Sequence, residues 1–166
     1  MGTNNIKIVP TTDDHLPALW DILKEWPEFW EGDAPVSYDH FVAFWKMSIV
    51  DSLSGFDNGE LVMCGCLDHL FIPVYATIMT VKKKGWGSPG QVIDMARKGI
   101  KMFFDKYNIE ALRVFIKEDH PSSIKMVKNI GFSYEGMFRH WKKINGVWTD
   151  FICASILRGE TNGNKF

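Results

Sequence analysis

The chain has 166 residues, 46% hydrophobic and 23% charged, long enough for one well-buried core, and its formal net charge is −1. That balance gives no support to a nucleic-acid binder driven by a basic surface. No apolar run is long enough to span a bilayer, and the opening MGTNNIKIV lacks a basic segment followed by an apolar core, so no membrane and a cytoplasmic location are expected.

Ile6 to Val9 reads as a short strand. After Pro10, Thr12 or Asp13 can cap a helix in which Leu16, Leu19, Trp20 and Leu23 share a face, and which ends near Trp26-Pro27. The next segment, Trp26 to Pro35, carries three large aromatics (Trp26, Phe29, Trp30) and three acidic residues (Glu28, Glu31, Asp33). These rings either fill the core beneath a loop or form a wall for a cationic amine, held by aromatic faces beside carboxylates. Ser37 then caps a second helix bearing Phe41, Phe44 and Trp45.

Phe56-Asp57-Asn58-Gly59 is a turn signal before a buried strand, Leu61 to Leu67, and Asp68-His69 is read as a second turn. Cys64 and Cys66 share a face of that strand; without further ligands at metal spacing they read as core thiols, and no metal is expected. With Cys153 the cysteine count is odd, which fits a reducing compartment and no disulfide framework.

Ile72 to Val81 is a strand running into a basic glycine turn, KKKGWG, and a long helix. Ser88 suits the N-cap, Pro89 the first helical position, and Gln91 completes a capping box. Val92, Ile93, Ala96, Ile100, Phe103, Phe104 and Tyr107 then recur at helical spacing as one apolar stripe. Gly85 and Gly87 allow a tight turn whose free amides, backed by the helix dipole and by Lys82, Lys83 and Lys84, suit an anion, with pyrophosphate favoured over a single carboxylate. No Gly-Lys-Ser/Thr follows, so this is not a P-loop. Gly85, Gly87 and Gly90 do spell G-x-G-x-x-G, but the next strand, Ala111 to Ile116, ends at Lys117 instead of the acidic residue a dinucleotide site requires.

Ala111 to Ile116 should lie parallel to the strand before the helix. Pro121 starts a short helix capped near His120, with Ile124, Val127 and Ile130 inward and a stop at Gly131. Phe132 to Lys142 and Trp148 to Leu157 are strands joined by an Asn145-Gly146 hairpin, and the tail from Gly159 to Phe166 is expected to be loosely held. The elements add up to a mixed α/β sheet of about six or seven strands and about four helices, in one domain spanning residues 1–166.

Two blocks resemble the general N-acetyltransferase (GNAT) superfamily. Lys82-Lys83-Lys84-Gly85-Trp86-Gly87 is similar to its Gln/Arg-x-x-Gly-x-Gly/Ala motif, with Lys at the first position, and Glu118 to Gly136 is similar to its later loop, helix and Gly-Phe-x-x-Glu-Gly segment. The continuation to Arg139 and Asp150 looks most like the branch that acetylates ribosomal-protein N-termini and polyamines. The resemblance implies acetyl-CoA as co-substrate and a central parallel pair splayed to admit pantetheine. Met79, Val81, Lys82, Lys83, Lys84, Gly85, Trp86, Gly87, Ser88 and Gly90 would line the cofactor site. It also implies an acceptor that is a small-molecule amine, a protein N-terminus or a lysine; from the charge balance no nucleic-acid partner is expected, and a homodimer is left open.

The resemblance places the usual thiolate acid, a Tyr, at the position of Val127. His120 is then the candidate to donate a proton to the thiolate or to act as a base, with Ser123 a weaker donor beside it and Tyr75 on the strand as a further candidate. His69 and Asp68 are candidate bases in a turn. No His pair activates a cysteine, so direct attack in a ternary complex is expected over an acetyl-cysteine. The rivals are a CoA-binding domain without chemistry, suggested by the missing Tyr, and a nucleotide-binding α/β module.

Overall fold

The structure is a computed structural model that describes residues 6–26 and 35–162. Strands β1 (Ile6–Pro10), β2 (Asp51–Asp57), β3 (Glu60–Phe71), β4 (Tyr75–Lys82), β5 (Ala111–Lys117), β6 (Ser133–Ile144) and β7 (Val147–Leu157) form one seven-stranded sheet in the order β1-β2-β3-β4-β5-β7-β6. All neighbours are antiparallel except β4 and β5. The helices are α1 (Leu16–Lys24), α2 (Tyr38–Ser48), α3 (Pro89–Lys106) and α4 (Pro121–Ile130).

The helices take opposite faces of the sheet, as the alternation of strand residues requires. Leu19 and Leu23 of α1 and Phe41 and Trp45 of α2 pack on Leu61, Cys64, Cys66 and Val81. From the other side Ile100, Phe103 and Phe104 of α3 and Val127 and Ile130 of α4 pack on Leu53, Leu67, Ile78, Leu112 and Ile116. Fully burying each aliphatic or Phe side chain in such a layer is worth about 1.5–3 kcal/mol. At one point α3 comes very close to the sheet: a Cβ on Gly55 of β2 would stand 2.5 Å from the Met95 sulfur. A side chain at this position would have to push the Met95 thioether aside.

Helix starts follow the capping residues. Ser88 Oγ accepts from the Gln91 amide while Gln91 Oε1 accepts from the Ser88 amide, and Ser37 Oγ accepts from the His40 amide. Thr12 caps a short 3-10 turn, Asp13–His15, that leads into α1. Gly131, at φ 125°, ends α4, and Asn145 and Gly146 turn the last hairpin with φ 49° and 82°.

Three expectations change. Asp68 and His69 lie inside β3, which continues to Phe71 through a bulge between Leu67 and His69; the chain reverses instead around the cis Ile72-Pro73 bond, so β4 begins at Tyr75. A strand not foreseen, β2, precedes the Asn58-Gly59 turn, its Ser52 and Ser54 buried where periodicity reads polar. In the tail, Arg158–Asn162 forms a 3-10 turn, with the Arg158 guanidinium donating to the carbonyls of Phe104, Tyr107 and Ile109; the rest lies outside the described residues.

Candidate active site

β4 and β5 pair only over Tyr75–Thr77 with Ala111–Arg113. Beyond Thr77 the strands part, and a cleft of about 460 Å³ opens between them. Five consecutive residues of β4, Ile78 to Lys82, and four of β5, Val114 to Lys117, line it. Successive strand residues point to opposite faces, so a run without gaps lines a space only when that space passes between the strand edges. The volume is in the range of small-ligand and cofactor sites, about 300–1,000 Å³.

At one end of the cleft stands the glycine turn. Gly85 and Gly87 have φ of 74° and 75°, conformations that L side chains rarely adopt. Several of its amides have protein partners: Lys83 donates to Val62 O, Trp86 closes the turn on Lys83 O, and Ser88 is in the capping box. The Lys84 amide donates 2.9 Å to the carboxylate of Glu25, at the end of α1. One amide of the turn, four residues ahead of the α3 N-cap, thus already binds a carboxylate. Trp26 is fixed beside it, with Nε1 donating 2.7 Å to Lys82 O and the Lys84 ammonium 5.7 Å from its ring centre. Trp26 packs against the core cluster beneath α1 and α2 and also lines the cleft; Phe29, Trp30, Glu28, Glu31 and Asp33 lie outside the described residues.

Met79, Val81 and Lys82 line the cleft itself; Lys83, Lys84, Gly85, Trp86, Gly87, Ser88 and Gly90 form the turn and the first residues of α3. Lys82 Nζ bonds to Trp86 O across the turn, Lys83 is ion-paired with Glu60, and Trp86 Nε1 donates to Asp57. The apolar cleft and the anion-holding turn suit a long thioester carrying a pyrophosphate.

His120, Ser122 and Ser123 line the other side of the cleft, after β5. His120 makes no side-chain cap bond to α4; its Nδ1 lies 3.3 Å from Ser123 Oγ, and Nε2 has no partner among the described residues. Val127 lines the cleft as part of the core and offers no proton there. Tyr75 is not brought to this site. It starts β4 at the closed end, against Phe71 and under the Arg113 guanidinium, 4.0 Å from its ring centre. His69 and Asp68 are likewise on β3 beside the closed end.

All three thiols, Cys64, Cys66 and Cys153, are buried. Burial pushes the Cys64 thiol up to about 12 and raises Cys66 as well; for Cys153 burial raises it, Arg113 opposes and Glu135 adds to it. Not foreseen from the sequence were Glu25 at the turn and a ring cluster, Phe115, Phe138 and Trp141, beside the cleft.

Comparison with known proteins agrees with this layout. The family described as Acetyltransferase (GNAT) domain matches residues 87–153. No curated protein sequence matches. Among solved structures, a spermidine N-acetyltransferase SpeG chimera from Vibrio cholerae and hSSAT has a TM-score of 0.80 at 16% identity, covering 94% of this chain and 97% of that one. Spermidine N-acetyltransferase from Vibrio cholerae in complex with CoA and spermine gives 0.76 at 16% identity, over 94% and 97%. RimL, a ribosomal L7/L12 alpha-N-protein acetyltransferase in complex with coenzyme A, gives 0.77 at 14% identity, over 94% and 95%. At these identities the structures establish a shared fold. Over residues 87–153, which take in α3, β5, α4, β6 and most of β7, the chain matches the Acetyltransferase (GNAT) domain family, and along nearly its whole length it shares the fold of these acetyltransferase structures.

Proposed function

We propose that the protein is an acetyl-CoA-dependent N-acetyltransferase that moves acetyl to a primary amine by direct attack in a ternary complex. The observation that carries this reading is the parting of β4 and β5 after Thr77, which runs an apolar cleft from an anion-holding turn to His120. The turn takes the pyrophosphate, Met79 to Val81 and Val114 to Ile116 flank the pantetheine arm, and the thioester lies toward His120 and Ser123.

The amine nitrogen bonds to the thioester carbonyl carbon and the C–S bond breaks. An alkylammonium has a pKa near ~10 in water, so it must shed a proton before attack, to solvent or a base. The departing thiolate takes a proton from His120, whose Ser123 contact leaves Nε2 for that task. A covalent acetyl-cysteine is disfavoured by the buried, high-pKa thiols.

The test follows free thiol during incubation with acetyl-CoA and a panel of amines. Amine-dependent thiol release with a matching acetylated product is the expected result. Tight CoA binding with no release for any amine would establish the rival, a CoA-binding domain without chemistry, and stabilisation by ATP or NAD but not CoA would establish a nucleotide site.

A further inference from the structure

Phe115, Phe138 and Trp141 form a ring cluster at the cleft. Phe115 and Trp141 stack with centres 5.1 Å apart and planes 12° apart, and Phe138 stands edge-on to both at 5.6 and 5.0 Å. Phe115 lines the cleft, while Phe138 and Trp141 remain 41% and 49% exposed. The cluster therefore runs from the reaction site to open surface.

A bulge builds it. Between the pairs Phe138–Phe151 and Lys142–Thr149, β6 fits Arg139, His140 and Trp141 against Asp150 alone. His140 takes φ 51°, and its amide donates 2.7 Å to Asp150 Oδ1. Simple alternation would send Phe138 and Trp141 to opposite faces; the bulge turns both onto Phe115. A non-glycine residue at positive φ is costly and persists where the surroundings impose it, here through Asp150.

We infer that this surface selects the acceptor, and that the acceptor is a primary monoamine carrying an aromatic ring, which stacks on Trp141 and Phe138 and directs its amine past Phe115 to the thioester. The inference rests on the transferase reading above. Charge separates this acceptor from a polyamine. Among the described residues of these strands on the open side, Lys117, which lines the cleft, Arg139, Lys142 and Lys143 outnumber Glu135 and Asp150, and both carboxylates already accept hydrogen bonds, from Ser155 and from the His140 amide. A second ammonium would meet more like charge than opposite charge, whereas a neutral ring gains stacking and apolar contact.

The experiment measures kcat/KM for 2-phenylethylamine, n-butylamine and spermidine with the native protein and with Trp141→Ala, Trp141→Phe and Phe138→Ala, alongside calorimetric CoA binding. The expected native order places 2-phenylethylamine about tenfold or more above both other amines. Trp141→Ala should erase that preference, Trp141→Phe should restore most of it, and CoA affinity should stay within about twofold, which also shows the variants are folded. A native preference for spermidine, or an unchanged preference in Trp141→Ala, overturns the inference while leaving the transferase intact. If no amine is acetylated, titration of 2-phenylethylamine into the CoA-loaded protein decides. Binding lost in Trp141→Ala upholds the aromatic site though transfer fails, and no binding sinks it.

Discussion

The two ends of the β4–β5 pair are made of the same two strands and do opposite things. At the closed end Ala76 and Leu112 are fully buried and the backbone is paired; at the open end the strands part and every consecutive residue faces the cleft. On the proposed reading, stability belongs to the first and chemistry to the second. Polar groups follow the same division: His120, Ser122, Ser123 and Lys117 stand at the open end, while Tyr75 and Arg113 at the closed end satisfy each other. A candidate catalytic residue is thus judged by which end it stands at.

Substitutions should divide along that line. The largest effect is expected for His120→Ala: a proton delivered to the leaving thiolate is worth about 10²–10⁴-fold, so kcat should fall by at least about 10²-fold with CoA affinity and melting temperature little changed. An unaltered kcat in a steady-state assay removes His120 from the chemistry. Leu112→Ala at the closed end should do the reverse, lowering unfolding free energy by about 3 kcal/mol in a urea titration while the folded fraction binds CoA as before. A loss of CoA affinity without loss of stability there would break the division.

Gly87→Val comes next. It forces a β-branched residue to φ 75° with its Cβ 3.2 Å from Val92 Cγ2, and CoA binding by calorimetry should weaken by about tenfold or more. Affinity like that of the native protein in a folded variant would sink the turn as the pyrophosphate site. The smallest effect, in the other direction, is for Glu25→Gln. Removing the carboxylate that occupies the Lys84 amide should tighten CoA binding by about two- to fivefold, and a weaker complex would mean Glu25 orders the turn more than it competes for it.

Much of this was legible in the chain because local rules and the fold agree. Ser88, Pro89 and Gln91 mark the start of α3 by the bonds they make, and Asn145-Gly146 marks the hairpin by its required dihedrals. Asp68-His69 misled because a bulge, not a turn, accommodates a polar pair inside β3, and β2 was missed because Ser52 and Ser54 are buried: Ser54 shares hydrogen bonds with Thr11 and His15 that exist only in the fold. The ring cluster was hidden for a related reason. Period-two reading separates Phe138 from Trp141, and nothing local announces that Asp150, on the partner strand, will hold His140 at positive φ. Glu25 reaches the turn across 59 positions of sequence, beyond any motif.

The short pairing of β4 with β5 has one further consequence. Where the strands part, each loses a partner along the edge facing the other, so an arm carrying amides of its own can serve there as a detachable strip of sheet. Loading the co-substrate then becomes the last step of folding at that edge. Amide hydrogens of Ile78–Lys82 and Val114–Lys117 that face the gap should exchange quickly in the free protein and slow when CoA fills it, and at a hundredfold excess over Kd the chain should gain about 2.7 kcal/mol of stability.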